Sequence, residues 1–129
     1  MPNWIWLRRE ALTAIHAEQL AEHGGSAGVR DQGLLESALA RPENLAAYGE
    51  PDVFDLAAAY AFGIMQNHPF IDGAKRAGFM AAATFLALNG ADLAAAELDA
   101  VMKVLALASS DLSEEGFAEW LRANSGPAR

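Results

Sequence analysis

His68, Asp72, Lys75 and Arg76 fall within one short stretch, His-Pro-Phe-Ile-Asp-Gly-Ala-Lys-Arg, running from His68 to Arg76. An imidazole titrates close to neutral pH and can take a proton from a hydroxyl. A carboxylate is a hard ligand for Mg²⁺, and adjacent cations attract anionic oxygens. Together these side chains suit the handling of a phosphate ester. Each residue alone has a plainer role: Asp72 an N-cap, His68 a hydrogen-bonded loop residue, Phe70 a core anchor, Lys75 and Arg76 a solvated first turn.

Two helices must hold this stretch. Asp52 reads as the N-cap of a helix ending near Asn67, with Val53, Phe54, Leu56, Tyr60, Ile64 and Met65 at helical spacing. Pro69 lacks an N–H and disfavours the α region at His68, so the helix stops there. From Ala74 to Leu88 the chain is apolar at helical spacing again, through Phe79, Ala82, Ala83, Leu86 and Ala87, and Asn89-Gly90 is a C-terminal stop. The second helix therefore begins beside Asp72 and Gly73 with unpaired N–H groups and its positive dipole end, an anion site by construction. Lys75 and Arg76 in that first turn oppose the dipole and call for an anion as compensation.

The order of residues resembles His-x-Phe-x-Asp/Glu-Gly-Asn-x-Arg, the signature of the Fic/Doc proteins. Lys75 before Arg76 is similar to the Doc branch, the "death on curing" toxins of bacterial toxin–antitoxin pairs. The likeness extends to His23-Gly24-Gly25, Gly28-Val29-Arg30-Asp31, Gly33 to Leu39, Arg41-Pro42, Tyr48-Gly49, Ala57 to Tyr60 and Phe85 to Gly90. It implies an enzyme using ATP and Mg²⁺, with His68 as general base and Asp72 holding the metal. The turn from Gly73 through Ala74 and Lys75 to Arg76 would bind the nucleotide's phosphates. Fic proteins that transfer AMP resemble Gly-Asn-Gly-Arg here; with Lys75 in place of the second glycine, the resemblance implies transfer of the γ-phosphate. The expected acceptor is a threonine of elongation factor Tu, which stops translation, with AMP transfer as the second reading. Ala74 stands where the family has a phosphate-contacting Asn, so reduced or abolished activity is expected. A catalytically silent, antitoxin-binding module is a third reading.

The family's built-in inhibitory helix resembles Ser/Thr-x-x-x-Glu-Gly/Asn. Around Glu115-Gly116 the hydroxyl position holds Asp111, so the expected restraint is a separately encoded antitoxin, its C-terminal segment lying as a helix in a groove. A flap beside the active site is implied for Glu43 to Pro51, a segment that by its own residues reads equally as an irregular connector.

The rest of the chain narrows the class. Its 129 residues suit one domain, 1–129, and 53% apolar residues, many of them alanine, favour closely packed helices. A net charge of -8 argues against nucleic-acid binding. Neither a membrane span nor a secretory signal is apparent and cysteine is absent, which suits the cytoplasm. Arg8 to His23 reads as a helix ended by Gly24-Gly25, with His16 buried and satisfied; no partner at metal spacing supports zinc. Residues 24–28 lack P-loop spacing and read as a turn.

Asp31 caps a helix expected to stop at Pro42. Glu97 to Ala108 is a helix whose face of Leu98, Val101, Met102, Leu105 and Ala108 is expected in the core. Ser113 caps a last helix with Phe117, Trp120 and Leu121 inward, and residues 124–129 read as a frayed tail. Trp4 and Trp6 mark either a short extended segment over the core or the approach to the first helix. The expectation is an all-α, compact bundle of about six helices.

Overall fold

The computed structural model describes residues 3–127. Six helices and two short strands follow in order: α1 (Arg9–His23), α2 (Gln32–Tyr48), α3 (Val53–Asn67), α4 (Ala74–Leu88), β1 (Ala91–Leu93), α5 (Glu97–Ala108), α6 (Glu114–Ala123) and β2 (Ser125–Pro127). The all-α reading holds.

Helix α3 is the axis of the fold, packed against α2, α4 and α6. It is apolar all round, and Leu56 to Ala61, Gly63, Ile64 and Met65 are all buried, as a helix surrounded by others requires. Glycines let its neighbours approach. A Cβ at Gly78 of α4 would sit 3.1 Å from the Ala61 carbonyl oxygen, and one at Gly63 would sit 3.4 Å from the Ala38 carbonyl oxygen of α2.

The start of α3 is a capping box. Asp52 accepts the N–H groups of Phe54 and Asp55 at 3.0 and 2.9 Å, while the Asp55 carboxylate accepts the Asp52 N–H at 2.9 Å. Arg122 of α6 donates to Asp52 at 2.9 Å and lies 5.6 Å from the Phe54 ring centre, joining the last helix to this cap. Burial opposes it, but the Asp55 N–H bond and Arg122 hold the Asp52 carboxyl below its usual value.

Residues 3–7 form no regular element and lie against the core, with Leu7 buried and Trp6 stacked on Phe85 at 5.8 Å. The Asn89 side chain pins this segment, accepting the Ile5 N–H at 2.8 Å and donating to the Ile5 carbonyl at 3.0 Å. The Leu7 N–H donates to the buried Tyr60 hydroxyl at 3.0 Å.

Four expectations need correction. Helix α2 runs through buried Pro42 to Tyr48, rather than stopping at Arg41. A proline there costs one backbone bond to residue 38. The Pro42 ring is buried, so its apolar surface is covered by the core. Residues 43–48 are consequently helical rather than an irregular connector, and no residue of 43–51 is among those lining the cleft at His68.

On α5 the apolar stripe faces outward: Leu98, Val101, Met102 and Leu105 are 74, 48, 57 and 48% exposed. Met102 is therefore not core filler. The face packed inward is Ala100, Val104, Leu107 and Ala108. Helix α5 carries two apolar stripes, and spacing alone does not say which one meets the core.

Residues 125–127 pair antiparallel with β1, Leu93 opposite Ser125, so the tail is tied down there; its last residues, 128–129, lie outside the described part. Among the described residues no helix is long and apolar enough to cross a membrane.

Candidate active site

The loop from His68 to Gly73 is held from three sides. Its outer edge pairs with the segment before α2: Ile71 N–H donates to the Gly28 carbonyl at 3.1 Å, and Arg30 N–H donates to the Pro69 carbonyl at 2.7 Å. Residues 28–31 are thus half of a two-stranded clamp, with Val29 opposite Phe70. The Arg30 guanidinium donates to the carbonyls of Asn67 and His68 at 2.9 and 2.8 Å. Those oxygens end α3 and have no helical partner, so Arg30 supplies what the helix cannot.

His68 is the C-cap of α3, with φ 48 and ψ 55, a left-handed conformation uncommon outside glycine and asparagine. Its N–H still donates to Ile64 at 3.1 Å. The side chain is exposed to the cleft.

From beneath, His16 of α1 fixes the loop. It is 5% exposed, its ring lies flat on that of Phe70 with centres 3.8 Å apart, and Nε2 stands 2.6 Å from the Asp72 carbonyl oxygen. A carbonyl only accepts, so Nε2 carries the hydrogen. The buried, satisfied reading of His16 holds, as does that of Phe70 as an anchor.

The start of α4 differs from the expected cap. Gly73 is the N-cap, at φ 79, and Asp72 precedes it. The Asp72 carboxylate accepts the Gly73 N–H at 2.8 Å through Oδ1, while a Cβ at Gly25 would come within 2.8 Å of Oδ2. Gly25 and Gly73, at φ 123 and 79, both hold backbone conformations that favour glycine beside this carboxylate. Because the Gly73 N–H is already engaged, the groups free to meet an anion are the N–H groups of residues 74–76.

Ala74 is 8% exposed at the base of the helix; Lys75 and Arg76 point outward and form no ion pair among the described residues. All the proposed site residues, His68, Asp72, Gly73, Ala74, Lys75 and Arg76, line one cleft of about 310 Å³ together with Phe70 and Ile71. Its size is at the small end of ligand sites.

Sequence reasoning missed His16 and Arg30 as parts of this site. Arg30 stood beside a glycine loop and His16 on an apolar face; neither position signals a partner far along the chain.

The implied Mg²⁺ can be tested against the donors present. Asp72 is exposed and commits one oxygen to a single N–H, and no cluster of three acidic or imidazole groups exists among the described residues. One carboxylate supplemented by phosphate oxygens and water suits Mg²⁺, which keeps much of its hydration. The residues fit.

A model of the Fic/DOC family matches residues 6–86, from the N-terminal segment through most of α4. Among curated proteins, the toxin Doc of Mycolicibacterium smegmatis is 47% identical over 75 residues, which is 56% of this chain and 57% of that protein. The chain thus matches little more than half the length of that relative, while the family match contains the whole loop from His68 to Arg76 and both elements that clamp it. The chain belongs to the Fic/DOC family.

Proposed function

We propose that this protein is the toxin of a toxin–antitoxin pair, a cytoplasmic phosphotransferase that moves the γ-phosphoryl group of ATP to a protein hydroxyl. The observation that carries the proposal is the placement of two unpaired cations, Lys75 and Arg76, at a helix N-terminus in the same cleft as the His68 imidazole. Phosphoryl transfer depends mainly on positioning and on neutralising the phosphates.

The N–H groups of residues 74–76, with Lys75 and Arg76, hold the phosphate oxygens. His68 takes the proton of the incoming hydroxyl as its oxygen bonds to the γ-phosphorus; the bond to ADP breaks and ADP leaves with the electron pair. Asp72 holds Mg²⁺, which when bound offsets phosphate charge. A threonine of elongation factor Tu is the proposed acceptor, in keeping with the resemblance to the Doc branch. Lys75 favours γ- over α-phosphate transfer, because its side chain fills the place where AMP-transferring relatives have glycine.

The antitoxin is proposed to dock on α5. Leu98, Val101, Met102 and Leu105 form one exposed stripe at i, i+3, i+4 and i+7, fit for an amphipathic helix. Met102 and Leu105 share a cleft of about 450 Å³ with Lys75, so an occupant of this face reaches the phosphate site.

Incubation with labelled ATP, Mg²⁺ and elongation factor Tu tests the reading, using the chain as it stands, Ala74→Asn and His68→Ala. Label from the γ position in Ala74→Asn, absent in His68→Ala, is expected. Label from the α position would replace kinase with AMP transfer, and no label even in Ala74→Asn would leave a binding module.

A further inference from the structure

The His68 imidazole is exposed, so packing does not aim it. The direction in which the ring leaves the chain is set by the two peptide planes that meet at its Cα. One plane, between Asn67 and His68, turns with φ; the other, between His68 and Pro69, turns with ψ. At φ 48 and ψ 55 both stand far from the extended values favoured by a side chain with a Cβ and by a following proline. Each plane therefore needs something to hold it.

Arg30 reaches both. Its Nη2 donates to the Asn67 carbonyl at 2.9 Å and its Nε to the His68 carbonyl at 2.8 Å, so one rigid fork carries an oxygen from each plane. The first plane has a second anchor, since the His68 N–H donates to the Ile64 carbonyl at 3.1 Å. The second plane has no such anchor: Pro69 brings no N–H, and the His68 carbonyl is its one polar handle. The ψ of His68 thus rests on the Arg30 side chain.

The rest of the loop does not depend on that side chain. The N–H groups of Arg30 and Asp31 donate to the Pro69 carbonyl at 2.7 and 3.2 Å, main-chain bonds that any residue but proline would keep at position 30. Farther along, the Asp72 carbonyl is bonded to His16, and the Gly73 N–H to the Asp72 carboxylate. Arg30 does not line the His68 cleft and forms no ion pair among the described residues. It is exposed, so water competes for both oxygens and the global stability it adds is modest. Capping α3 alone would ask only for some donor at each oxygen, which water supplies; the fork adds a fixed angle between the two planes.

We propose that Arg30 is a positioning residue, whose guanidinium locks the left-handed turn at His68 and so keeps the imidazole in the cleft beside Lys75 and Arg76. Its bearing on rate rests on the reading of His68 as the base of phosphoryl transfer.

Two measurements on the full chain carrying Ala74→Asn test it, and one needs no turnover. With Arg30→Ala added, the Cα and Cβ chemical shifts of His68, which follow φ and ψ, are expected to move toward extended values while those of Lys75 and Arg76 stay. Single-turnover transfer from ATP is expected to slow about a hundredfold, the scale of a misplacement of about 1 Å, with calorimetric affinity for ATP and Mg²⁺ and the thermal melt unchanged. Arg30→Lys, which can serve one carbonyl at a time, recovers part of the rate. Guanidinium chloride at a non-denaturing concentration rescues Arg30→Ala where equal sodium chloride does not. Unmoved His68 shifts in Arg30→Ala would overturn the proposal whatever the activity. A matching fall in ATP affinity or in the melt, or the absence of any rescue by lysine or guanidinium, would show a role in folding alone and overturn it too. If the Ala74→Asn parent transfers nothing, the phosphotransfer reading fails, and the His68 shifts still decide whether Arg30 sets this turn.

Discussion

Ala74 sits where the first free N–H of α4 meets the cleft, and its methyl can make no bond to a phosphate. Introducing the amide in Ala74→Asn adds one donor at the point where charge must be held. Removal of one such donor from an enzyme costs about 10²–10³ in rate. The gain expected on addition is about a hundredfold in label transferred per minute, checked by single-turnover assay. His16 acts on the same site from the interior. His16→Ala removes the donor to the Asp72 carbonyl and the ring beneath Phe70, and is expected to cost about 1–3 kcal/mol for the unsatisfied oxygen. Urea unfolding measures that loss; His16→Gln, which keeps a donor, should recover part of it.

Tyr60 gives a third residue-level outcome. Burial pushes its phenol up to about 12, above the ordinary 10.0, so its contribution to stability is whole below pH 10 and is lost as pH rises through 12. Urea midpoints taken across pH 10 to 12 should fall more steeply in the natural chain than in Tyr60→Phe; parallel curves would contradict the assignment. What made the cleft legible at this scale was proximity in sequence: His68, Asp72, Lys75 and Arg76 are near neighbours. His16 and Arg30 escaped because their partners are remote, Asp72 for one and Asn67 and His68 for the other.

Among the elements, caps and stops were readable wherever a local rule decided the outcome. Asp31, Asp52 and Ser113 each accept N–H groups in the first turn of their helices, as their side-chain chemistry demands. Pro42 defeated the local rule because the bond it forfeits is offset by burial of its ring, a tertiary effect. Helix α5 defeated periodicity in another way, since either of its two apolar stripes could have faced inward.

The Asp52 box predicts a stability change with a sign. Asp52→Ala should lose about 1 kcal/mol. Because the folded carboxyl lies below its ordinary 3.8, its contribution is present above that pH and disappears as pH falls through the folded value. Thermal melts of wild type and Asp52→Ala should therefore converge in acid. On α5, Met102→Asp and Leu105→Asp should leave the melting temperature nearly unchanged, both side chains being about half exposed. The same changes should abolish co-purification with the proposed antitoxin; loss of stability instead would mean that this face is internal.

At the scale of the whole molecule, charge and the site oppose each other. The chain carries -8 overall, yet Lys75 and Arg76 stand unpaired among the described residues in the cleft that His68 overlooks. An acidic protein gains nothing from general attraction to a polyanion, so any affinity for ATP must come from the start of α4 itself. Calorimetry with ATP and Mg²⁺, comparing Ala74→Asn with the same protein carrying Lys75→Ala and Arg76→Ala, measures this directly. Two lost charge-assisted contacts should weaken binding by about one hundredfold or more. Equal affinity in the two proteins would place the nucleotide elsewhere and contradict the account.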